Sequence, residues 1–274
     1  MFGQIRSYMW RRLHASRARK AGRTQLKAAK RGDREQFLAL AAGYIDLAYD
    51  YFGTTLAEGD ARRASRVEQI FLALWQQLGY AERLSDFEYM LATLLVESTP
   101  ADATITSQSP IVTKMRLLTP QVRFAFLAYE LENWPLRWVA LVMRVRTGAL
   151  HRLLAEARCE LCGVSWESLT TAERACLEAI STALDQQPNH RANKVLQKRT
   201  RSYPRIAAIK AQWLELRPEL VEVRLRYKPG QQQREKFLKG LFDKTLEMPM
   251  QRPAMVDRMV NTVHFSRHNN IKIS

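Results

Sequence analysis

The chain has 274 residues, of which 46% are hydrophobic and 9% aromatic, enough apolar surface to build packed cores and too much for a globally disordered protein. Its 43 basic and 27 acidic residues leave a net charge of +16, which favours a polyanionic partner, nucleic acid foremost, because each lysine or arginine placed at a phosphate releases condensed counterions. No apolar run is longer than that from Trp138 to Met143, which is far short of the roughly 20 residues that span a bilayer, so no membrane span is expected.

The charge is unevenly spread. Residues 1–36 carry 11 basic and two acidic side chains, 37–98 carry four and nine, 99–163 carry eight and five, and 164–274 carry 20 and 11. The second segment is thus acidic within a basic chain, which suits a protein partner better than DNA. Cys159, Cys162 and Cys176 are too few and odd in number for a disulfide framework, and no apolar signal segment opens the chain, so a reducing, cytoplasmic setting is expected.

In chain order, Phe2, Ile5, Met9 and Leu13 recur at near-helical spacing among arginines, making 1–32 a basic amphipathic leader; it suits a membrane surface, a nucleic-acid backbone or a cap on the next domain. From Asp33 a wide apolar face (Phe37, Leu40, Ala41, Tyr44, Ile45, Ala48) predicts a helix closed by Gly53. A second helix, cored by Val67, Ile70, Phe71, Leu74 and Trp75, ends before Gly79, and a third runs from Asp86 to Val96. The stretch Glu97 to Thr113 is rich in Ser, Thr, Pro, Ala and Asp and reads as a linker, placed at 99–116. Pro120 and Pro135 each open a helix, and a third starts after Arg146 and Thr147 with Leu150, Leu153, Leu154 and Ala157. Three short helices with a tight turn between the last two make a helix-turn-helix over 117–163, closed by Gly163.

Beyond it, Thr170 and Glu173 have capping-box spacing ahead of a helix from Ala175 to Leu184. Pro188, Pro204, Pro218, Pro229, Pro249 and Pro253 are expected to cut the remainder into short, mostly helical pieces. The exception is Val221, Val223, Leu225 and Tyr227, which alternate with charged residues and predict a half-buried strand paired with Val263 and Phe265 or with Ile271 and Ile273. The expected fold class is therefore mainly α: a helical bundle over 33–98, the helix-turn-helix, and a basic extension over 164–274 with a short β element.

The segment from Leu118 to Arg158 resembles the fourth conserved region of extracytoplasmic-function sigma factors, through Leu118, Pro120, Arg123, Phe126, Leu127, the Trp138-Val139-Ala140 triplet, Gly148, Leu150, Leu154, Ala157 and Arg158. Upstream, Phe37 to Leu78 resembles the second conserved region, with Phe71 and Trp75 at the family's phenylalanine-to-tryptophan spacing. The resemblance covers about residues 33–163. It implies a transcription regulator whose first bundle binds bacterial RNA polymerase core through Ser65, Glu68, Gln69 and Leu72, and whose second reads double-stranded DNA with Arg146, Thr147, His151 and Arg152. An anti-sigma-like regulator is a further implied partner. Ser65 and Glu68 stand where the family usually has aspartate and glutamine. Met90 and Leu91 replace its tryptophan-leucine pair, and from Leu84 to Thr113 there is no lysine or arginine but there are four acids. A stretch of that kind repels phosphate, so an adaptor or mimic that does not open promoters is the alternative expectation.

Arg191, Lys194, Lys198, Arg199 and Arg201 form a second candidate nucleic-acid patch, with a solvated charged face as the competing reading. Cys159 and Cys162 make a single CxxC, and a tetrahedral zinc needs two more ligands than that supplies; no metal, no cofactor and no enzyme activity are expected, since P-loop, GxGxxG and HExxH motifs do not occur.

Overall fold

The computed structural model describes residues 17–56, 62–99, 109–186, 198, 200 and 203–251, and among these the chain is helical throughout, with no strand. Helix α1 spans 17–29. It is followed by α2 (Arg34–Ala42), α3 (Ile45–Gly53), α4 (Arg62–Gln77), α5 (Leu84–Glu97), α6 (Pro110–Leu117), α7 (Pro120–Phe126), α8 (Leu136–Val142), α9 (Thr147–Leu161), α10 (Thr171–Gln186), α11 (Pro204–Tyr227) and α12 (Gln231–Glu247). No described helix is long and apolar enough to cross a membrane.

Local chemistry sets the helix starts. Asp33 caps α2 by accepting the N–H of Gln36 at 3.0 Å, and the Asp86 carboxylate accepts the N–H of Arg83 at 2.8 Å where α5 begins. Pro110 and Pro120 occupy first helical positions, where a missing N–H costs nothing. The capping box at α10 forms as the spacing predicts: Glu173 N–H donates to Thr170 Oγ1, and Thr170 N–H donates to Glu173 Oε2.

One hydrophobic core runs from Leu26 of α1 to Leu241 of α12, so the boundaries drawn at 98 and 117 fall at no break in the packing. Helix α5 is central to it, lying against α4 on one side and α7 and α8 on the other. The segment read as a linker holds α6, whose Ile111, Val112 and Met115 are buried, and the leader holds α1, whose Leu26 and Ala29 are buried. Apolar residues at helical spacing outweighed the small polar ones between them.

The strand expected at Val221 to Tyr227 is instead the end of α11. Ile206, Ile209, Trp213, Leu216, Leu220, Val223 and Tyr227 are all buried, at alternating steps of three and four, which is a helical stripe six turns long. Seven residues are too few to separate period two from that stripe, because Val223 and Tyr227 satisfy both. The suggested partner strands lie outside the described residues. Nor do the prolines cut α11 into pieces: it continues through Pro218, whose absent N–H costs about 3 kcal/mol, an amount the buried stripe on both sides offsets. Gly53 permits this packing, since a Cβ there would stand 2.4 Å from the Tyr227 ring.

Candidate nucleic-acid interface

Helices α8 and α9 are joined by the four residues 143–146 in a tight turn. Arg144 N–H bonds to Leu141 O at 3.2 Å and Val145 N–H to Ala140 O at 3.0 Å, the paired bonds of a Schellman ending. That ending requires a left-handed residue, and Arg144 takes it at φ 55° where glycine is usual; Gly163 does the same after α9 at φ 75°. The Arg144 guanidinium lies 3.8 Å from the centre of the Tyr89 ring, which fastens the turn to α5.

Arg146, Thr147, Gly148 and Arg152 are exposed at the start of α9 and over its first two turns. His151 belongs to the other side. It is 7% exposed, in line with Leu154 and Arg158 at steps of three and four, and so it is corrected from a DNA contact to a core residue. One turn on from Arg152 stands the half-buried Glu156, whose carboxyl is held above its usual range by burial and drawn back by Arg152. The face that attracts phosphate therefore ends within two turns.

Two arginines that carry the sigma-like pattern are structural. Arg123 is buried and donates to the carbonyls of Met115, Arg116 and Leu118 at 2.7–2.9 Å, closing the turn between α6 and α7. Arg158 is buried too, paired with Glu130 and hydrogen-bonded to Ser181, with its guanidinium 5.9 Å from the Trp213 ring, so it ties α9 to α10, to α11 and to the π-helical turn Leu127–Leu131.

The face of α4 expected to meet polymerase is divided. Ser65 and Gln69 are exposed, whereas Glu68 and Leu72 are half-buried. Lys244 of α12 forms an ion pair with Glu68, and Leu72 packs on the core. The same C-terminal segment reaches Trp75, whose Nε1–H donates to Met248 O at 2.8 Å, and stacks Phe237 edge-on against Tyr49 and Phe71. Lys228 and Arg234 both pair with Asp46. No signal in the acidic bundle alone could have foretold this cover.

Of the 14 residues of α5 only Glu97 is exposed. Phe87, Met90, Leu91, Ala92 and Leu95 are core residues. Glu88 is 2% exposed; its two oxygens accept from Tyr44 Oη and Trp138 Nε1, each at 2.7 Å. Burial pushes its pKa from the ordinary 4.5 up to about 7, against the opposing pull of these two donors and of Arg19.

Of the second basic patch, Lys198 is described and exposed; Arg191, Lys194, Arg199 and Arg201 lie outside the described residues. Cys159 is buried and Cys162 half-buried, and burial drives both thiols up, Cys162 to about 11, the opposite of a metal-binding or nucleophilic thiolate. Among the described residues no group of three or more His, Cys, Asp or Glu is placed to hold a metal ion. Within the basic leader, Lys20, Arg23 and Lys27 of α1 and Arg31 in the turn after it are all exposed, at steps of three and four that are visible in the sequence.

Comparison of the chain with protein-family models, with curated proteins and with solved structures finds no match.

Proposed function

We propose that this chain is a sigma-like DNA-binding adaptor, which docks duplex DNA with the start of α9 and acts through protein contacts without opening the strands. The observation that carries this reading is the burial of α5 beside an exposed Arg146, Thr147 and Arg152. A helix that captures melted DNA must offer cations to phosphate and unstacked rings to bases; α5 has no lysine or arginine and its Phe87 is fully buried. The recognition helix has the opposite character, with two arginines and a threonine clear of the core at its leading end. Polymerase core, the partner that the resemblance implies, would meet α4 at Ser65 and Gln69, since Glu68 and Leu72 are engaged with α12 and the core.

The experiment is duplex selection from a random library, followed by affinity measurement on the selected site. Arg152→Ala is expected to weaken binding by about 1–3 kcal/mol if the arginine reads a base, with the loss confined to one position of the site. Permanganate footprinting with polymerase core should show no melted thymines. Unchanged selection by Arg152→Ala removes α9 as the reader, and robust melting removes the adaptor reading in favour of an ordinary initiation factor.

A further inference from the structure

The basic stripe of α1 calls for its own account, because it is rigidly presented and faces away from the core. Lys20, Arg23, Lys27 and Arg31 recur at steps of three and four, all exposed, and residues 1–32 contain no acid. At 1.5 Å per residue the helical part, Lys20 to Lys27, is about 10 Å long, and with Arg31 in the turn that follows it can meet two to four phosphates along one strand. None of the four is ion-paired to a described carboxylate, so none must leave a partner in order to bind.

The opposite face of α1 is fixed. Leu26 and Ala29 are buried, Lys30 Nζ donates to Ala81 O at 2.7 Å, and Gly22 lies against the Leu84 side chain. This decides between two anionic partners. A helix that binds a lipid surface must insert an apolar face, and the apolar face of the described part of α1 is already spent on the core. At its start, the Arg19 guanidinium sits 5.0 Å from the centre of the Trp138 ring on α8. The first helix of a helix-turn-helix crosses the DNA backbone, so a helix docked on α8 is carried to the flanking duplex. Between α1 and α2 an open trough of about 490 Å³ is lined by Arg17, Lys20, Ala21, Thr24, Gln25 and Gln36, of which all but Ala21 can donate to phosphate oxygens.

We propose that α1 is a second DNA contact, which grips the phosphate backbone beside the helix-turn-helix without reading sequence. It rests on α8 and α9 being the DNA-docking unit, and the test separates the two. The full-length chain is titrated with a random-sequence 40-base-pair DNA duplex between 50 and 300 mM KCl, followed by fluorescence anisotropy. Replacing Lys20, Arg23, Lys27 and Arg31 by glutamine should lower the slope of log affinity against log salt by up to about 3.6, at about 0.9 per phosphate contact, and Arg23→Gln alone by about 0.9. Preference for a library-selected site over random duplex should survive these changes and be weakened, at one position of the site, in Arg152→Ala.

An unchanged slope in the fourfold variant, with native circular dichroism, overturns the α1 contact whatever Arg152→Ala does. A reduced slope with selection unaltered by Arg152→Ala leaves the α1 contact standing and removes α9 as the reader. Binding to phosphatidylserine vesicles but not to the duplex overturns the proposal in favour of a membrane surface.

Discussion

Glu88 joins three parts of the fold, and replacing it by glutamine tests whether that junction is what the geometry says. The carboxylate accepts two hydrogen bonds at 2.7 Å, from Tyr44 at the start of α3 and from Trp138 on α8. A glutamine amide has one acceptor oxygen and an NH₂ that must face Tyr44 or Trp138, just as a protonated Glu88 has one acceptor oxygen and one O–H, so the variant mimics the neutral acid and lacks the ionised form. The difference between the two chains therefore depends on pH. With its folded pKa raised from 4.5 to about 7, Glu88 makes the folded state bind more protons than the unfolded chain, so its stabilising contribution is full below about pH 4.5, falls as pH rises through 7 and stays low above it. At about 1.4 kcal/mol per unit, the wild type gives up roughly 3 kcal/mol across that window, a loss the glutamine does not share. Relative to wild type, Glu88→Gln should thus gain about 2.5 kcal/mol between pH 5 and pH 8, from near parity to greater stability. The measurement is urea unfolding at both pH values, read by tryptophan fluorescence. An equal stability difference at pH 5 and pH 8 would falsify the assignment of a raised carboxyl.

Gly53→Ala should destabilise by about 1–3 kcal/mol, because its Cβ would stand 2.4 Å from Tyr227, and a double-mutant cycle with Tyr227→Ala should recover much of that loss; strict additivity would show that α3 and α11 do not touch there. Trp75→Ala should cost roughly 3–5 kcal/mol in denaturant unfolding, since the ring is 2% exposed, whereas Trp75→Phe should cost only about 1 kcal/mol for the bond to Met248. Alkylation of Cys162 by iodoacetamide should be slow at pH 8 and accelerate only towards pH 11, and rapid labelling at neutral pH would contradict the burial of that thiol.

Helical class was legible before any coordinates, because the apolar spacings of Phe37 to Ala48, Val67 to Trp75 and Leu150 to Ala157 each mark one face of a helix, and Thr170 with Glu173 announces a start. So was the outward aim of Arg146, Thr147 and Arg152, which follows from the turn before them. His151 was misplaced because one residue is 100° of rotation, and only the seating of α9 on its neighbours decides which side of Arg152 turns inward. The strand at Val221 to Tyr227 failed for want of range: the heptad-like stripe that begins at Ile206 becomes visible only when Pro218 is allowed inside a helix. Tertiary structure alone decided three further matters: that α5 lies buried against α4, α7 and α8, that α12 and Met248 after it meet Glu68 and Trp75, and that Arg123 and Arg158 serve carbonyls and a buried ion pair. These are contacts between residues 5 to 176 positions apart, and one chain's pattern of apolar and charged residues marks the apolar face of a helix but not which neighbour covers it.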